Sequence, residues 1–212
     1  MTTEHLEIDH VVLGVTDLQD AAVELLEDHG LVALPGGSHS SWGTANRIVP
    51  LGTSYLELVA VLEPEVARAS AFAGWVADMA AGRCGWGWAV RTRDIPATAA
   101  RLGLDVVPGS RVTPSGTELR WRLAGVPDAD GDRTLPFFIG WGDGTPMPGT
   151  SYAEHRRTAV RLGGIAVETD AHVLGEWLDF AELPVVVRHG RRGVVAVELA
   201  TDDGAVVLEP GL

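Results

Sequence analysis

The sequence predicts an α+β fold assembled from repeated βαβββ modules. Two observations carry that prediction. One element order, strand then helix then three strands, recurs along the 212 residues, the third time in shortened form. Each time the helix begins at an Asp preceded by Thr or Arg, in "VTDL", "TRDI" and "ETDA".

The first unit opens with "EIDHVVLGVTDL", a strand running to Thr16 and Asp17. Asp17 is a good helix N-cap, and Leu18, Ala21, Ala22, Leu25 and Leu26 follow at helical spacing, with Gly30 as the stop. Extended pieces come next, around "LVAL", "ANRIVPLG" and "SYLELVAV". A connecting helix is expected after Pro64. In the second unit "WGWAVRTRDI" and "PATAARLGL" give strand, Asp94 and a helix opened by proline. "VVPGSRV", "TELRWRLAG" and "TLPFFIGW" supply its three further strands. "GWGDGTPMPGTSY", rich in Gly and Pro, reads as a linker. The third unit runs from "RLGGIAVETD" through "AHVLGEWLDFAEL", then "PVVVRHG", "GVVAVELATDDG" and "AVVLEPG". The expected division is residues 1–146, holding modules at about 6–62 and 83–143, and 150–212 as a smaller third module. An odd module count leaves one half-sheet without a partner, which motivates the expectation of a homodimer.

Composition removes several function classes. A formal charge of −13 disfavours nucleic acid and anionic membrane surfaces as partners. All 16 basic residues are Arg, so a Schiff-base lysine is excluded. Cys84 is alone, so neither an internal disulfide nor a cysteine metal cluster can form, in keeping with a reducing cytoplasm. The start "MTTEHLEIDH" lacks a signal-peptide pattern, and no apolar run is long enough to span a bilayer.

Alternation along the strands selects the candidate site. Val11, Leu13 and Val15 make an apolar face, and His10, Val12 and Gly14 a mixed one. In "SYLELVAV" the Leu face packs while Glu57 shares the other face with Tyr55. A buried carboxylate costs several kcal/mol unless a cation or strong donors meet it, on the order of the transfer costs of ionised groups. Glu57 therefore needs either an ion shared with His10 or an arginine. In "TELRWRLAG", Arg120 and Arg122 share a face; turned inward they would hold a carboxylate or phosphate, and turned outward they are a solvated strand surface. "SHSSWGTANR" puts His39, Trp42, Thr44 and Asn46 on a Gly-bounded loop, a place for ligand contacts or for a self-satisfied turn. "EHRR" at 154–157 is expected to be solvated.

At "IDHVVLGVTDL", "YLELVAV" and the repeated element order, the chain resembles the vicinal oxygen chelate superfamily. "GGSHSSWGTANRIVPLGTSYLELVAV", "LRWRLAG" and "LPFFIGW" resemble glyoxalase-like domain proteins more narrowly. The resemblance implies paired modules curled into an open barrel with helices outside, and a ligand or metal inside. It places His10 and Glu57 at metal-ligand positions; Glu209 of "VVLEPG" would be a third ligand or general base if the third unit pairs with the first, and is otherwise a surface acid. One divalent metal (Zn, Fe, Mn or Ni) or an empty centre are both open. Counting back from Asp94 and Asp170, as His10 precedes Asp17, lands on Gly87 and near Gly163, neither of which can ligate. Three functions follow. One is a metal-dependent lyase, isomerase or oxygenase acting on a small oxygen-rich molecule, with Arg120 or Arg122 anchoring an acidic group. The second is a metal-free binding protein in which Trp42, Tyr55, Trp88 and Phe138 supply apolar contact. The third is an interaction module whose cavity is filled by side chains.

Overall fold

The computed structural model describes residues 5–113, 116–127 and 131–211. The first unit comprises β1 (Glu7–Gly14), α1 (Leu18–His29), β2 (Leu34–His39), β3 (Thr44–Leu51) and β4 (Ser54–Val61). Two connecting helices follow, α2 (Pro64–Ala67) and α3 (Ala71–Ala80). The second unit is β5 (Gly87–Arg91), α4 (Ile95–Leu102), β6 (Val106–Val112), β7 (Glu118–Ala124) and β8 (Phe137–Trp141). The third is β9 (Arg161–Glu168), α5 (Ala171–Trp177), β10 (Val185–Arg188), β11 (Gly193–Thr201) and β12 (Gly204–Leu208).

The three aspartates do the work expected of them. Asp17, Asp94 and Asp170 each accept backbone N–H groups at the start of α1, α4 and α5. Gly30 and Gly103 end α1 and α4 in the left-handed conformation that glycine adopts most cheaply. "EHRR" is not merely solvated. Arg156 and Arg157 donate to the carbonyls of Leu26 and His29, closing the C-terminus of α1.

The first two units form one eight-stranded sheet, ordered β2-β3-β4-β1-β5-β8-β7-β6, that curls into a nearly closed barrel. Its two edges, β2 and β6, approach one another, and Arg111 on β6 donates to the Gly36 carbonyl on β2. One apolar cluster covers the convex face, where α1 and α4 pack. Val11, Leu13, Leu56 and Leu58 belong to it. A second cluster fills the concave side with Val12, Val59, Ala89, Trp121 and Phe137. Helix α3 belongs to that inner cluster: Phe72, Trp75, Val76 and Met79 point into the concavity. Gly14 and Gly87 make room for it, since a Cβ on Gly14 would lie 2.5 Å from the Met79 Cβ and one on Gly87 2.4 Å from the Trp75 ring.

The third unit keeps the element order but not the pairing. Its sheet runs β10-β9-β11-β12, with β9 between a parallel β10 and an antiparallel β11. In the first unit, by contrast, β1 pairs parallel with the last strand, β4. Ile165, Val167, Val197 and Leu199 join the convex-face cluster of the large sheet. Trp86 and Val194 exchange backbone bonds of 2.9 and 3.0 Å, and Trp177 stacks on Phe138. The third unit thus buries its apolar face within its own chain, and the reason for expecting a second copy falls away. Among the described residues no helix is long and apolar enough to cross a membrane.

Candidate functional site

A cavity opens on the concave side between the two half-barrels, beyond the end that α3 fills. His10, His39, Trp42, Asn46, Tyr55 and Glu57 come to it from the first unit, and Arg111, Trp121, Phe137 and Trp141 from the second. It leaves about 40 Å³ for the centre of a water molecule to move in, room for a few atoms.

The histidine is placed by a β-bulge. Ile8 pairs with Val90 and His10 with Ala89, so Asp9 is an extra residue in the β1–β5 ladder. The bulge lets two consecutive side chains meet: Asp9 Oδ1 lies 2.7 Å from His10 Nδ1. The other Asp9 oxygen accepts from Arg91 at 3.1 Å and from the Trp141 indole at 2.9 Å. Asp9 is wholly buried. A carboxylate can only accept, so Nδ1 donates and His10 Nε2 turns its free position to the cavity. Tyr55 stacks on the imidazole with ring centroids 4.6 Å apart, holding its plane.

Glu57 Oε2 lies 3.6 Å from His10 Nε2, and Oε1 accepts from the Asn46 amide at 2.5 Å. Glycine explains how Asn46 reaches it. A Cβ on Gly36 would lie 2.0 Å from Asn46 Oδ1, so the Gly-Gly pair that reads as a loop is a bulged strand cleared for this amide. His39, at the end of β2, sits 3.9 Å from Glu57 Oε1 and 3.1 Å from the Thr44 hydroxyl through its other nitrogen. Burial holds the His39 pKa below its usual value, with Arg111 and His10 adding to the shift against the opposing pull of Glu57. Burial also pushes the Tyr55 phenol well up, helped by the charges of Asp9 and Glu57.

Several expected contacts fall elsewhere. Trp88 and Phe138 are one position out of register with the cavity. They face the convex cluster, where Trp88 donates to the Thr134 carbonyl, and Phe137 takes the inward place. Arg120 and Arg122 are exposed on the outer face of β7, Arg120 paired with Glu118, because Leu119, Trp121 and Leu123 take the inner face. Glu209 is exposed beyond β12, near Arg192, on the sheet that packs behind the barrel. His39, Thr44 and Asn46 lie on the strands of the β2–β3 hairpin rather than on a loop, and Trp42 lies on the turn that joins them, against the His39 ring. Asp9 and Arg111 escaped the sequence reading. An acid beside His10 in an apolar strand was a usable signal for the first, while nothing in "PGSRV" marks Arg111 as the inward residue of β6.

The four-ligand centre that the resemblance implies does not fit these residues. The strand registers pair Val12 with Gly87 and with Glu57, and Ala89 with Phe137. The barrel's pseudo-twofold therefore carries His10 to Gly87 and Glu57 to Phe137. Neither replacement ligates, and the Trp75 ring occupies the space over Gly87. Among the described residues no three His, Cys, Asp or Glu side chains are grouped to hold a metal ion.

A family profile described as a glyoxalase-like domain matches residues 8–180. No curated protein matches the chain. Among solved structures, a hypothetical protein from Staphylococcus aureus superposes with a TM-score of 0.65 at 18% identity, covering 98% of this chain and 87% of that one. A Streptomyces coelicolor methylmalonyl-CoA epimerase in complex with 2-nitronate-propionyl-CoA gives 0.46 at 18% identity, over 66% of this chain and 97% of that one. The methylmalonyl-CoA epimerase of Mycobacterium tuberculosis gives 0.42 at 21%, over 64% and 86%. The first of these shares the fold, third unit included.

Proposed function

The chain belongs to the glyoxalase-like domain family, and on that premise we propose that it is an isomerase or lyase that moves a proton within a small oxygen-bearing molecule. The observation that carries this reading is His10, held by Asp9 at Nδ1 and facing Glu57 across 3.6 Å inside a cavity. Asp9 fixes the ring and its tautomer, so that Nε2 presents its lone pair to the cavity. The C–H bond next to a bound carbonyl breaks, its proton goes to Nε2, and its electron pair moves onto the carbonyl oxygen. Glu57 can take the proton from His10 and return it to carbon. The metal-dependent form of such chemistry needs donors where Gly87 and Phe137 stand, so no step is routed through an ion.

The test has two stages. Small carbonyl compounds are first screened for those that raise the melting temperature, as any ligand preferring the folded state does. Those that bind are then incubated with the protein in D2O and followed by NMR. Exchange of a carbon-bound proton by the wild type, lost in Glu57→Gln, is the expected result. Binding without exchange would overturn the enzyme reading. It would leave the second one, a metal-free binding protein, which the indoles of Trp42, Trp121 and Trp141 around the cavity favour.

A further inference from the structure

Among the described residues Arg111 is the one guanidinium that lines the inner cavity, and it is 8% exposed. Among the described residues no carboxylate lies within ion-pair distance of it. Its described hydrogen bond goes to the backbone carbonyl of Gly36. A buried cation without a counter-charge is costly, and one carbonyl does not use the five donors of a guanidinium. Glu57 is differently placed, with one oxygen taken by Asn46 and the other turned to His10. Glu57 and Arg111 both bring a charge to this cavity, and the guanidinium is the group with donors to spare.

Arg111 also lines a second space. An outer cleft of about 600 Å³ shares Arg111, Ile48 and Pro148 with the inner cavity, and Leu34, Leu119 and Met147 give it apolar walls. The guanidinium thus stands on the boundary that the two spaces share.

We propose that the site takes a hydrophobic carboxylic acid, with Arg111 receiving the carboxylate at the junction of cleft and cavity. This rests on the reading that the His10–Glu57 cavity is the functional site. The apolar body lies in the cleft and the oxygen-bearing end reaches the two proton carriers. A phosphate dianion fits less well, because a single guanidinium between apolar walls leaves its second charge unmatched. Arg111 replaces the exposed Arg120 and Arg122 as the anchor for an acidic group.

Calorimetric titration of the intact protein with benzoate and with its neutral twin benzamide tests the assignment. Benzoate should bind at least about tenfold tighter, the step that a single charge-assisted fork commonly supplies. Arg111→Met should bring benzoate down to the level of benzamide while benzamide affinity stays the same, which also shows that the cavity still stands. Should Arg111→Met not fold, because Arg111 also ties β6 to β2, Arg111→Lys decides. It keeps the charge, loses the fork and should fall between the two. Equal affinity for the two probes, no binding of either, or an unchanged preference in Arg111→Met or Arg111→Lys would overturn the proposal. A benzoate preference without proton exchange in any bound carbonyl compound would sink the enzyme reading alone.

Discussion

Gly87→Ala is the substitution whose sign is most informative. Glycine inside a strand is ordinarily a weakness, and alanine at a compatible position stabilises by about 0.4–1 kcal/mol through the unfolded chain. Gly87 is such a strand residue and does not need a left-handed backbone. Here the new methyl would stand 2.4 Å from Cη2 and 2.6 Å from Cζ2 of Trp75, against about 3.5–4.0 Å for ordinary carbon contact. Trp75 cannot swing away, since it is fully buried with Phe72 and Phe137 packed edge-on against it. Overpacking of this kind costs about 1–3 kcal/mol. For a chain of this size that lowers the melting temperature by roughly 2–12 °C. Urea unfolding gives the free energy directly. The double variant with Trp75→Phe, which removes the clashing ring, should recover part of the loss as a coupling of at least about 0.5 kcal/mol. An alanine variant as stable as the wild type would mean that α3 does not fill the second half-site, and the asymmetry of the cavity would need another cause.

Further outcomes follow from the same contacts. Asp9→Asn removes the charge and one of the two oxygens that accept from His10, Arg91 and Trp141. It should cost about 2–3 kcal/mol in urea unfolding and change the imidazole tautomer seen by 15N NMR. His39 has a folded pKa below its unfolded value, so the unfolded state binds the extra proton and stability falls as pH drops below about 6.5. His39→Gln should reduce that acid loss, read as a smaller shift in urea midpoint between pH 7 and pH 5. Arg120→Ala and Arg122→Ala should stay within about 0.5 kcal/mol of wild type and leave ligand binding unchanged, because both side chains face solvent.

What the sequence made legible was governed by period and capping. The aspartate caps are local, so Asp17, Asp94 and Asp170 could be read from a few residues each. Alternation placed His10 and Glu57 on one concave face. It fails at "LPFFIGW", where two adjacent phenylalanines offer no means of choosing the inward one, which is Phe137 and not Phe138. The bulge at Asp9 inverts the face rule for one residue, and no local pattern announces it. Gly36 and Gly37 read as a loop because glycine signals turns, yet Gly36 is glycine to admit the Asn46 amide. Arg111 depends on the closure of two sheet edges far apart in sequence. Gly87 reads as a missing ligand, but its reason, the ring of Trp75, lies on a helix that only the fold brings there.

Elemental analysis of protein purified without chelators tests the one-sided cavity most directly. The residues at the barrel's pseudo-twofold positions predict divalent metal well below one equivalent per chain, and the same value in His10→Ala and Glu57→Gln. One equivalent in the wild type, lost in both variants, would contradict the account.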